Sequence, residues 1–228
     1  MDNTDLLEAI RSTLRSAGDA DRAQGAQAYM KSDMPSLGVR VPQVRKIVNE
    51  AARQFPLATP ELLRQAALDL WRNAAAREER YAAIDLTGLR LVKEDLDMLP
   101  VYEEIIRTGA WWDLVDGVAH RIGALLLAHP ETMTPLLLRW SSDADMWIRR
   151  ASITAQLGAK AKTDTALLAA VIKANLADKE FFIRKAIGWA LREFSKTDPN
   201  WVRAFAAENA PSLSPLSTRE ALRLLPAR

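Results

Sequence analysis

Lys179-Glu180-Phe181-Phe182-Ile183-Arg184-Lys185-Ala186-Ile187-Gly188-Trp189-Ala190-Leu191-Arg192-Glu193 is the stretch from which the fold is read. Its apolar residues Phe182, Ile183, Ala186, Ile187, Ala190 and Leu191, with Phe194 just beyond, recur at three- and four-residue steps and so share one side of an α-helix. Lys185, Trp189, Arg192 and Lys196 keep the same spacing on another side. Trp189 is then surplus to the buried stripe, and a large aromatic among cations suits a polyanion surface. The competing reading makes Trp189 an ordinary packed residue whose basic neighbours snorkel past it.

The same pattern occurs upstream. Met146-Trp147-Ile148-Arg149-Arg150-Ala151 and Phe181-Phe182-Ile183-Arg184-Lys185-Ala186 share an apolar-aromatic-Ile-Arg-basic-Ala order at an offset of 35 residues. A further step of 35 lands on Trp112, in the Trp111-Trp112-Asp113-Leu114-Val115-Asp116 run, and Arg80-Tyr81-Ala82-Ala83-Ile84 reads as a degenerate fourth copy. A period of this length predicts stacked helical pairs in which each pair buries its face on the next. Thr59-Pro60-Glu61 and Asp198-Pro199 place a capping residue before a proline that opens a helix, and Pro42 opens another. No alternating strand pattern and no Asn-Gly or Asp-Gly hairpin interrupts these segments. The expectation is an all-α chain of about a dozen helices: stacked helical pairs forming one domain over 1–228, with repeats clearest around 110–195 and a basic concave face.

Composition narrows the function classes. The 228 residues are 49% hydrophobic, enough for a sizeable core, and no apolar run approaches the roughly 18 residues of a membrane span. Asp2, Asp5 and Glu8 surround Leu6 and Leu7 where a signal peptide would start basic and continue apolar, so a cytoplasmic protein without a membrane association is expected. The absence of cysteine removes disulfides, thiolate nucleophiles and iron–sulfur clusters, and His120 and His129 lack partners at metal-ligand spacing, so no metal is expected. The net charge is only +2, but from Arg149 to Arg203 eleven Lys/Arg face five acids, a net of +6 that leaves −4 for the remainder. Such asymmetry suits a one-sided anionic partner such as a phosphodiester backbone.

With Trp112, Trp147 and Phe182 as position zero of successive copies, Asp116 falls at +4, Arg150 at +3 and Trp189 at +7, all on one helix face. Stacked helices would carry them to a common wall, with Lys185 at +3 and Arg192 at +10. A carboxylate flanked by indoles and a guanidinium lacks the parts for acyl transfer, and the chain has no Gly-rich phosphate loop. It suits a cationic group carried on a phosphodiester, because indole faces attract cations and arginine can hold a phosphate through two hydrogen bonds. Taken alone, Asp116 reads as a surface or capping acid, and only its placement with Trp112, Arg150 and Trp189 brings the functional reading level with that one.

At these residues the chain resembles the AlkD-type DNA alkylation repair glycosylases. The likeness rests on the Trp111–Asp116, Trp147–Ala151 and Lys179–Glu193 runs, on Tyr29-Met30-Lys31, on Gly38-Val39 before Pro42, and on Leu216-Ser217-Thr218-Arg219-Glu220-Ala221 near the end. The resemblance implies an α-solenoid of HEAT-like repeats, in agreement with the period, and a monomeric, monofunctional glycosylase of base excision repair that needs no cofactor. It would remove N3- and N7-alkylated purines from double-stranded DNA and leave an abasic site. It further implies Asp116 as the catalytic carboxylate, Trp112 and Trp189 as an aromatic clamp, and Arg150 as a backbone-contacting cation, ambiguous by one residue with Arg149. Lys185, Arg192, Arg184, Lys196 and Tyr29 complete the expected DNA contacts. A non-catalytic helical-repeat module that binds DNA or a protein is the alternative.

Overall fold

The computed structural model describes residues 3–226, and among these every regular element is helical. The α-helices are α1 (Thr4–Ser16), α2 (Ala20–Met30), α3 (Val41–Gln54), α4 (Pro60–Arg72), α5 (Arg77–Leu86), α6 (Leu99–Gly109), α7 (Trp112–Ala128), α8 (Pro130–Trp140), α9 (Met146–Thr154), α10 (Thr165–Lys173), α11 (Phe181–Ser195), α12 (Pro199–Glu208) and α13 (Pro215–Leu222). The starts read from sequence hold: Thr59 Oγ1 accepts the Leu62 amide at 3.3 Å, Asp198 Oδ1 accepts the Trp201 amide at 2.9 Å, and Pro42 lies in the first turn of α3. No described helix is long and apolar enough to cross a membrane, and no described cluster of three or more carboxylate, imidazole or thiol groups could hold a metal.

The chain folds as two compact units, one up to Val101 and one from Tyr102. In the first, α1, α3, α4 and α5 close around Ile10, Leu14, Val44, Leu70, Trp71 and Leu86. The buried Glu78 carboxylate at the start of α5 accepts from Ser36 Oγ (2.7 Å), the Leu37 amide (2.8 Å) and the Gly38 amide (2.9 Å), which fixes the loop leading into α3. Helix α2 contributes no buried residue, and its Tyr29 is 73% exposed.

In the second unit α7, α9, α11 and α13 pack side by side in sequence order, while α8 and α10 form the other layer and α12 packs on α11 and α13. Leu114, Val118 and Ile122 of α7, Ile148 and Ile153 of α9, and Ile183, Ile187 and Leu191 of α11 face this interior. The 35-residue period is visible in the hydrogen bonds. Asp143 Oδ1 accepts the Asp145 amide and Asp178 Oδ1 the Glu180 amide, both at 2.8 Å. Arg149 donates back to the Asp143 carbonyl (2.7 Å) and Arg184 to the Asp178 carbonyl (2.9 Å). Each aspartate is in turn held by an arginine from further up the chain: Arg107 on Asp143 and Arg149 on Asp178, both at 2.9 Å. The architecture is an all-α stack of helical repeats.

Close helix approach needs glycine at Gly123, where a Cβ would lie 2.5 Å from the Ala155 carbonyl oxygen. Gly123→Ala is therefore expected to destabilise the protein by about 1–3 kcal/mol through forced backbone displacement. Gly25→Ala, in open space on α2, should be neutral or stabilising by up to about 1 kcal/mol. Urea denaturation of the two variants checks the contrast.

Candidate active site

The starts of α7, α9 and α11 meet in an aromatic cluster. Trp111, Trp147 and Phe182 have ring centroids 6.2, 5.4 and 5.0 Å apart, taken as the pairs 111–147, 111–182 and 147–182. The frame read from sequence is thus displaced by one residue: Trp111, the extended residue that precedes α7, takes the place assigned to Trp112. Trp112 stays outside the cluster and half-buried. The Trp111 indole N–H is buried without a hydrogen-bond partner.

One turn into α7, Asp116 meets Arg150 of α9. Nε donates to Oδ1 at 2.8 Å and Nη2 to Oδ2 at 2.7 Å, while Nη1 donates to the Phe182 carbonyl at 2.6 Å. The paired side chains are 14% (Asp116) and 6% (Arg150) exposed. Asp116 and Arg150 are brought together, and each guanidinium nitrogen of Arg150 makes one hydrogen bond inside the protein, to α7 or to α11. Burial pushes the Asp116 carboxyl above its ordinary value against the pull of Arg150, and Asp113 adds to the rise.

Arg149 and Arg184 also donate hydrogen bonds inside the protein. They stand in the first turns of α9 and α11, where reaching back six residues satisfies the loop carbonyls of Asp143 and Asp178. Arg149 is further neutralised by the Asp178 carboxylate.

The stripe around Trp189 has a partner that sequence reasoning missed. Glu220 of α13 accepts from Lys185 Nζ at 3.1 Å and from Arg192 Nη1, and it is only 16% exposed. Lys185 foremost, with Arg192 and Arg223, holds its carboxyl below the ordinary glutamate value. The contact depends on Gly188, where a Cβ would come within 2.5 Å of Glu220 Cβ. Trp189 is half-buried, between Lys185 and Arg192 in sequence, and makes no ring contact with Trp112 among the described residues. Lys196 remains more than half exposed, beside Glu193 at 2.6 Å. Tyr29 belongs to the first unit.

Known proteins give this arrangement a context. A structure from Enterococcus faecalis, described as a predicted DNA alkylation repair enzyme, is 31% identical and aligns over 92% of this chain and 98% of that one, with a TM-score of 0.82. The Pseudomonas fluorescens alkylpurine DNA glycosylase AlkC bound to DNA containing an abasic site analog shares the fold at 21% identity and a TM-score of 0.55. That alignment covers 98% of this chain and 63% of that one. No curated protein sequence matches. Residues 10–225 match the family model for DNA alkylation repair enzymes, and this protein, with its Asp116 and Arg150 paired between α7 and α9, belongs to that family.

Proposed function

We propose that the chain is a DNA glycosylase that hydrolyses the N-glycosidic bond of N3- and N7-alkylated purines in duplex DNA. The observation that carries this reading is Asp116: a carboxylate pinned by a bidentate arginine, shielded from water, and one helical turn from a half-buried indole. In a binding module the pair would serve only to join α7 to α9.

The chemistry needs little else. Alkylation at N3 or N7 makes the purine cationic, so it departs without being protonated by a general acid. What remains is to stabilise an oxocarbenium-like sugar and to orient water, and one carboxylate can do both. Arg150 occupies one lone-pair direction on each Asp116 oxygen and leaves the others for the sugar and the water. Trp112 and Trp189 supply aromatic faces for a cationic base, an attraction of about 0.5–2 kcal/mol each. Lys185, Arg192 and Lys196, which retain exposed surface, would engage phosphates and position the duplex without reading bases.

The test is incubation of the purified protein with methylated duplex DNA, followed by detection of free 3- or 7-methylpurine. Release supports the reading; binding without release leaves a non-catalytic module and overturns it. The state of Asp116 also fixes a pH dependence. Its ionised form is the active one, and its pKa is raised by burial, so the single-turnover rate should fall on acidification with a midpoint above the ordinary value of 3.8. The folded protein holds that proton more tightly than the unfolded chain, so between the ordinary value and the raised one this group's contribution to stability declines as pH rises.

A further inference from the structure

Glu220 is not explained by packing alone. A residue filling the space beside Gly188 could be apolar, yet the position carries a carboxylate that draws Lys185 and Arg192 from opposite sides of Trp189 in sequence. These are two of the three stripe cations that retain exposed surface. A carboxylate bridging an ammonium and a guanidinium occupies the place a phosphate oxygen would take.

We propose that Glu220 is a positioning residue that acts as an internal stand-in for a DNA phosphate. It holds Lys185 and Arg192 in orientation around Trp189 and restrains their binding to undamaged duplex. The proposal rests on the reading of the stripe as the DNA-contacting surface. An approaching phosphate must share or displace the carboxylate, so the two cations contribute less to sequence-independent affinity than two free ones would. Neutralising Glu220 leaves both available as phosphate partners. Each additional phosphate neutralised steepens the dependence of log K on log salt by about 0.9.

The experiment is binding of the full chain to an undamaged duplex across a salt series, with wild type beside Glu220→Gln and Glu220→Asp. Glutamine keeps the side-chain length over Gly188 while removing the charge. It is expected to bind roughly tenfold more tightly at low salt, with a salt slope steeper by about 1 to 2. Aspartate keeps the charge but withdraws it by one methylene, and should fall between the two. A purely structural role predicts a lower melting temperature with an unchanged slope, and that result in a folded Glu220→Gln protein overturns the proposal. Should glutamine prevent folding, a wild-type slope for Glu220→Asp overturns it instead. Failure of wild type and Glu220→Gln alike to bind duplex would sink the reading of the stripe as a DNA surface, whereas normal wild-type binding with no change in the variants sinks only the role of Glu220.

Discussion

Asp116→Asn is expected to lower the rate of base release by about a hundredfold or more, with the fold retained. Asparagine has the same shape and can still accept from Arg150, so the helix contact between α7 and α9 persists in part. What is lost is the full negative charge facing the sugar as positive charge develops there. Removing one preorganised electrostatic group of this kind costs roughly 10² to 10³ in rate, or about 2.7–4 kcal/mol. Single-turnover release of methylpurine, with circular dichroism as the control for folding, decides the matter. A loss of less than about threefold would remove Asp116 from the chemistry.

The second large effect is on stability and pH together. Arg150→Met removes the only cation hydrogen-bonded to Asp116 among the described residues and deprives the Phe182 carbonyl of a side-chain donor. Deleting one partner of a buried pair strands the other charge at a cost of about 3–5 kcal/mol. Denaturation should register a loss of about 3 kcal/mol or more at neutral pH. The Asp116 carboxyl should rise further, because burial and Asp113 would act unopposed, so the acid limb of any residual activity moves to higher pH. The double variant Arg150→Met, Asp116→Asn should regain part of the lost stability, since it carries no stranded charge. If Arg150→Met alone leaves both stability and acid limb unmoved, the pair does not hold the carboxylate.

Much of this was legible in the sequence, and the rest failed for identifiable reasons. Helical faces and caps follow from local spacing, so α11, the Thr59 and Asp198 caps and the 35-residue period emerge from the residues alone. Asp116 and Arg150 could be placed on one wall, but their direct pairing depends on how far each helix is rotated against its neighbour, which periodicity does not specify. The aromatic frame slipped by one residue because Trp111 reaches the cluster from the extended segment before α7, where helical counting does not apply. Arg149 and Arg184 look like surface cations until the loop carbonyls they serve are seen. Glu220 had a usable signal. Its distance from Lys185 is one repeat, as is that of Glu208 from Lys173, while Asp116 and Arg150 are 34 apart and Arg107 and Asp143 are 36 apart. Opposite charges one period apart in a helical array are therefore candidates for ion pairs between neighbouring repeats.

That spacing has a consequence for how the second unit is made. Its arginine–aspartate clasps join segments no further apart than about one repeat, so a short length of chain already contains both members of each pair. Little loop-closure entropy stands in the way of any one contact, and order can spread from whichever pair of helices docks first. A growing chain could thus consolidate α7 to α9 before α13 exists. The carboxylate that restrains Lys185 and Arg192 would arrive only after both cations are in place.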